Sequence, residues 1–169
     1  ILFGTSVLHE YGISPVGYNV WYKGPLNAFD RTRYTGGSSS GSATGVALGI
    51  FPFAIGFDGG GSVRIPSSWS GVVGAIPTFG AVRYDNAETK VFTTLHCGPI
   101  TANVADAAIV MSGSIIPISG EHFYDKVYRE TFDVPMPKIN FAPLYDKNPN
   151  FTIGYDTAWV HDSDPEIEA

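Results

Sequence analysis

Gly36-Gly37-Ser38-Ser39-Ser40-Gly41-Ser42 and Asp58-Gly59-Gly60-Gly61-Ser62 are the two stretches that decide how this chain folds, and an apolar run, residues 43–57, lies between them. The second stretch opens straight into Val63-Arg64-Ile65-Pro66, so a hydroxyl stands at the end of three glycines and ahead of a rigid turn. Glycines let consecutive backbone N–H groups point at one anionic oxygen without side-chain interference. A serine at the end of such a nest is a nucleophile with its own oxyanion site, which is the equipment of acyl transfer. A solvated Gly/Ser tether is the plain alternative. It is disfavoured here because the glycines sit between an apolar strand and residues 63–66, and glycines confined in a core mark close backbone approach.

The first stretch is ambiguous taken alone. A phosphate-cradling loop is excluded, because Ser42 stands where G-x-x-x-x-G-K-[ST] requires lysine. Gly37-Ser38-Ser39-Ser40-Gly41 matches the nucleophile elbow G-x-S-x-G in letters only. Asp30-Arg31-Thr32-Arg33-Tyr34 precedes it, where that motif needs a buried strand. The simplest reading is a serine-rich turn with Ser42 capping a helix.

At 169 residues and 44% hydrophobic content, the chain is long enough for one domain with a sizeable core. Its formal charge of −6 argues against a nucleic-acid groove. A single cysteine, Cys97, excludes an internal disulfide and suits a reducing, intracellular compartment. No apolar run reaches the roughly 18 to 20 residues that span a bilayer, which leaves peripheral membrane association open. Ile1-Leu2-Phe3-Gly4-Thr5-Ser6 has neither the basic flank of a signal peptide nor an initiator Met. The chain therefore reads as an internal fragment.

Residues 1–35, rich in Gly, Pro, Asn and aromatics, read as loop. The small residues Ser42-Ala43-Thr44-Gly45-Val46-Ala47-Leu48-Gly49-Ile50 predict a short, closely packed helix, and Pro52-Phe53-Ala54-Ile55-Gly56-Phe57 a buried strand. Pro66-Ser67-Ser68-Trp69-Ser70-Gly71 suits one helical turn, and Val72-Val73-Gly74-Ala75-Ile76-Pro77 a short strand or loop. Residues 101–111 are the clearest helix, with Val104, Ala107, Ala108 and Met111 at helical spacing and Gly113 to end it. Lys138-Ile139-Asn140-Phe141-Ala142 and Thr152-Ile153-Gly154-Tyr155 read as strands, and Asp164-Pro165 as a helix start. The alternation predicts an α/β layer arrangement.

Together the two stretches resemble the amidase signature family of serine hydrolases. The resemblance runs through residues 34–43, 54–67 and 71–74, then His96-Cys97-Gly98-Pro99-Ile100-Thr101 and Val104-Ala105-Asp106-Ala107-Ala108. It implies an α/β fold, a mixed sheet covered by helices, with residues 1–169 as a single domain that is the central part of a longer one. It also implies amide C–N cleavage by a Ser–cis-Ser–Lys triad. Ser62 matches the nucleophile, and Ser38 the bridging serine after a cis Gly37–Ser38 bond. Gly59, Gly60, Gly61 and Ser62 match the oxyanion-hole donors. Ser39, Asp58 and Arg64 match supporting residues that hold the glycine loop in shape. The resemblance implies that the lysine of the triad stands several tens of residues before the bridging serine, further than this chain reaches; Lys23 is too close to Ser38 and Lys90 follows both serines. This segment alone is then expected to be inactive.

The scheme requires no metal and no organic cofactor, and its partner is a small-molecule amide. Tyr34-Thr35-Gly36-Gly37-Ser38-Ser39-Ser40-Gly41-Ser42, with Leu8-His9-Glu10-Tyr11-Gly12-Ile13, is most similar to the plant-type fatty acid amide hydrolase branch. Ser40, at a place often held by glycine, and Phe57, where threonine is common, depart from the family pattern. An amidotransferase component making ammonia for a partner protein and a binding module without the lysine remain alternatives, and a homodimer is compatible with either. His9, His96, His122 and His161 have no signature that brings them to Ser62. Cys97 reads as a small buried hydrophobe.

Overall fold

The computed structural model describes residues 3–79, 81, 82, 94–114 and 152–164. The chain divides into two compact units, Ile1–Ile139 and Asn140–Ala169.

In the first unit a 3-10 turn, Glu10–Gly12, precedes helix α1, Ser40–Ala47, and strand β1, Phe53–Asp58. Helix α2 (Arg64–Trp69), strands β2 (Val73–Gly74) and β3 (His96–Thr101) and helix α3 (Val104–Ser114) follow. The strands form one sheet in the order β1-β3-β2, and both pairings are antiparallel. Phe53 lies opposite Thr101 and Asp58 opposite His96, so the end of β1 that leads into the glycines is fixed against the start of β3.

Helix α1 packs through small side chains, as expected. Ser40, Ser42, Ala43, Thr44, Gly45 and Val46 are all buried, and the Phe51 ring lies directly over Gly45. Ala43, Val46, Val63 and Ile100 make the core, with Phe51, Ala54, Val72 and Ile76 packed on it. Ser42 is not the N-cap. The helix begins two residues earlier, and the Ser42 hydroxyl faces β1 instead, at 2.8 Å from Ser6 Oγ and 3.3 Å from the Ile55 carbonyl. Burial decides this, because a hydroxyl facing a strand must pair locally.

Strand β1 is buried on one face rather than both. Gly56 and Asp58 point inward, whereas Phe53, Ile55 and Phe57 stay largely exposed. Pro66 falls in the first turn of α2, where helical N–H groups have no intrahelical partner and its lack of one has no consequence. Of residues 72–77, only Val73–Gly74 pair as strand.

Strand β3 contains Pro99, which obscures it in sequence. Its carbonyl accepts from the Ala75 N–H at 3.1 Å, on the β2 side, so its missing N–H also faces that side, past the end of β2 at Gly74. Helix α3 starts at Val104 rather than Thr101. Thr101 belongs to β3, and Asn103 caps the helix: its Oδ1 accepts from the Asp106 N–H at 2.9 Å, and its Nδ2 donates to the Asp106 carboxylate at 2.8 Å. Ala107, Ala108 and Met111 are buried as expected, but Val104 is exposed. Gly113 lies within α3 and does not end it.

In the second unit, Thr152-Ile153-Gly154-Tyr155 forms no strand. Helix α4, Thr157–His161, follows, and Asp156 caps it by accepting from the Trp159 N–H at 3.1 Å. The strand expected at Lys138-Ile139-Asn140-Phe141-Ala142 lies outside the described residues, as do Pro165 and His122. Among the described residues no helix is long and apolar enough to cross a membrane.

Candidate active site

The turn from β1 into α2 is built around one carboxylate. Asp58 closes β1 with its side chain 1% exposed, and its Oδ1 accepts from the Gly61 N–H at 2.6 Å. Its Oδ2 accepts from the amides of Val63 and Arg64 at 3.0 and 3.2 Å. The Arg64 guanidinium grips both oxygens, Nε at 3.1 Å and Nη2 at 3.0 Å. Burial alone would push this carboxyl up. Arg64 and the amides of Val63, Arg64 and Gly61 outweigh it and hold the group down at about 2. Asp58 is therefore a fixed anion around which the glycine loop is folded, and the same pairing raises Arg64.

Gly61 is among the oxyanion donors that the resemblance implies, but Asp58 takes its N–H. The amides of Gly59, Gly60 and Ser62 donate to no such partner among the described residues. Gly59 and Gly60 are exposed and Ser62 is half-buried.

Ser38 comes to Ser62 through the first glycine-rich stretch. The Gly37–Ser38 peptide bond is cis. Ser38 is buried, and its carbonyl accepts from the His9 N–H at 3.3 Å and the Ser40 N–H at 2.8 Å. The next residue makes the link: the Ser39 N–H donates to the Ser62 carbonyl at 3.2 Å. The Ser39 hydroxyl lies under the loop, so close to β1 that a Cβ on Gly56 would come within 2.7 Å of it and within 2.8 Å of Val63. No hydrogen bond joins the Ser38 and Ser62 hydroxyls to each other. Catalytic hydrogen bonds are often loose in the absence of substrate and tighten in the complex.

Ser39, next to Ser38, is thus bonded to Ser62, and Asp58 and Arg64 hold the loop that carries Ser62. Lys23 is exposed, with its amide on the Asn19 carbonyl, and is not part of the site. The His9 Nδ1 lies 2.8 Å from the Glu10 carbonyl and the His96 Nδ1 2.8 Å from the Thr94 carbonyl. Burial pushes the Cys97 thiol up to about 11, which makes it inert. No group of three metal-ligating side chains occurs among the described residues. A groove of about 520 Å³ opens elsewhere, lined by Asn27, Thr32, Arg33, Tyr34 and Trp69 at the far end of α2.

Sequence reasoning missed two features of this site. One is the turn at His9–Gly12, which lies against Ser38; a Cβ on Gly12 would stand 3.4 Å from the Ser38 hydroxyl. The other is Asn27, buried among four hydrogen bonds. An Asn two residues ahead of Phe29 in a loop is an Asx-turn signal, and it was legible.

The family model described as Amidase matches residues 1–169. The fatty acid amide hydrolase of Oryza sativa subsp. indica is 36% identical over 168 residues, which are 99% of this chain and 27% of that protein. A glutamyl-tRNA(Gln) amidotransferase component from Staphylococcus epidermidis is 39% identical over 134 residues, 79% of this chain and 27% of that one. Among solved structures, 6-aminohexanoate cyclic dimer hydrolase superposes with a TM-score of 0.67 at 32% identity, covering 73% of this chain and 26% of its own. The chain spans about a quarter of the length of the relatives it matches.

Proposed function

The chain belongs to the amidase family, and from that premise we propose that it is the nucleophile-bearing part of a longer amide hydrolase. Ser62 Oγ attacks the substrate carbonyl carbon, and the new C–O bond places negative charge on the carbonyl oxygen. The amides of Gly59, Gly60 and Ser62 receive that charge. One such donor is worth about 2.7–4 kcal/mol of transition-state stabilisation, so three pre-aimed donors supply a large share of the rate. The Ser62 proton passes to Ser38 and onward to a base, a lysine outside this chain. It returns through Ser38 to the leaving nitrogen as the C–N bond breaks. Water then takes the acyl group from Ser62. Asp58 and Arg64 keep the donors aligned, and Ser39 braces the loop from below.

The observation that supports this reading is the Asp58-centred loop, in which the amides of Gly59, Gly60 and Ser62 have no hydrogen-bond partner among the described residues. For the substrate, similarity to a plant fatty acid amide hydrolase along 99% of the chain favours long-chain fatty amides. The amidotransferase reading draws support from the Staphylococcus relative. Ammonia or amine release by the full-length protein from a long-chain fatty amide and from glutamine separates the two. Fatty-amide hydrolysis that Ser62→Ala abolishes supports the hydrolase. Glutamine hydrolysis alone, dependent on an added partner protein, overturns it.

A further inference from the structure

The two serines ride on different segments, held together at the glycine loop by the Ser39 to Ser62 backbone bond and, away from it, by contacts to the far end of α2. We propose that Asn27 and Ser70 are positioning residues. They lock the segment feeding Ser38 to the helix following Ser62, and so set the spacing of the two hydroxyls; this rests on the serine chemistry proposed above.

Asn27 is 7% exposed. Its Nδ2 donates to the Tyr34 carbonyl at 3.2 Å and to the Trp69 carbonyl at 2.7 Å. Its Oδ1 accepts from the amides of Phe29 and Asp30 at 3.0 and 3.4 Å. Both donors and both lone pairs of the amide are thereby engaged, so the side chain has one orientation. Tyr34 stands four residues before Ser38, and Trp69 is the last residue of α2, which starts two residues after Ser62.

Ser70 repeats the link one residue further along. It is fully buried and donates through Oγ to the carbonyl of Thr35, also fully buried, at 3.2 Å. Between these bridges Gly36, with φ of 73°, lies against α2 so closely that a Cβ there would stand 2.7 Å from Pro66 Cα. At the other end is the Ser39 to Ser62 backbone bond of 3.2 Å. Residues 34–39 are therefore tied to residues 62–70 at both ends and in the middle. Neither Asn27 nor Ser70 is hydrogen-bonded to a catalytic hydroxyl. Their effect on chemistry is geometric, and displacing a reacting group by about 1 Å can cost on the order of 100-fold in rate.

A double-mutant cycle in the full-length protein tests this, read by fluorophosphonate labelling as the maximal inactivation rate and the probe's half-saturating concentration. Asn27→Ala and Ser70→Ala, each counted per folded molecule, are expected to lower the maximal rate roughly 10- to 100-fold with half-saturation within about 3-fold. In a Ser38→Ala background the same changes should lower it by less than about 3-fold, since the relay they align is gone. Should Asn27→Ala prevent folding, Ser70→Ala removes one hydrogen bond and completes the cycle alone. Single variants that label at the wild-type rate, or losses that multiply in full with Ser38→Ala, overturn the positioning role while leaving the nucleophile intact. Undiminished labelling in Ser62→Ala is a separate result and overturns the serine chemistry itself.

Discussion

Replacing Asp58 by asparagine should destabilise the full-length protein by about 3.5–5.5 kcal/mol at neutral pH. The size follows from the structure. Folding takes this carboxyl from 3.8 to about 2, and at about 1.36 kcal/mol per unit the ionised form gains roughly 2.5 kcal/mol. Asparagine loses that gain and turns an NH₂ toward amide donors of Gly61, Val63 or Arg64, so at least one buried donor goes unpaired, at about 1–3 kcal/mol. Arg64 adds little, because its side chain is 55% exposed and water re-solvates it. The pH dependence has a definite sign. A depressed carboxyl stabilises the fold above its unfolded value and loses that contribution as pH falls through the folded one. The gap between wild type and Asp58→Asn should be full above about pH 5. It should be smaller by about 1 kcal/mol at pH 3 and by about 2 kcal/mol near pH 2, where chiefly the cost of the unpaired donor is left. Urea unfolding at pH 7, 5 and 3 measures it as a shift in midpoint at constant slope. A gap under about 0.5 kcal/mol at pH 7, or one that does not narrow between pH 5 and 3, refutes the reasoning.

Other parts of the site give further tests. Gly56→Ala puts a methyl 2.7 Å from Ser39 Oγ and 2.8 Å from Val63. It should cost about 1–3 kcal/mol and slow fluorophosphonate labelling, and an unchanged melting temperature would contradict the packing described. Gly36→Ala should be harsher than Gly56→Ala, because φ of 73° and the Pro66 backbone both oppose a side chain there. Their order in thermal unfolding checks this. Cys97, with its thiol raised to about 11 by burial, should resist a thiol reagent at pH 8 in the native protein and react at once in urea. Rapid native reaction would show that β3 is open there.

The parts of the fold that were legible are those set by local chemistry. Small residues from Ser42 onward gave away α1, and the glycines after Phe57 marked the strand-to-loop switch. The cis bond before Ser38 was expected only from the resemblance to the amidase signature family, not from local chemistry. What sequence hid depends on pairing. Pro99 disguised β3, because nothing local shows that its missing N–H faces a side where β2 has ended. Thr152-Ile153-Gly154-Tyr155 has strand composition yet no strand conformation, and α4 is set instead by the Asp156 cap. At the site, the types of Asp58, Gly61 and Ser62 were informative, but which amides the carboxylate takes was not. It takes the amides of Gly61, Val63 and Arg64. Asn27 and Ser70 act over 42 and 35 residues of chain, a separation no local pattern reports.

Peptide mapping of the full-length protein after fluorophosphonate treatment is the most direct measurement of the central claim. A single phosphonyl adduct on Ser62, absent in Ser62→Ala and formed more slowly in Ser38→Ala, is the predicted result. An adduct on any other residue, or labelling that survives Ser62→Ala unchanged, contradicts a nucleophile seated beside the Gly59, Gly60 and Ser62 amides.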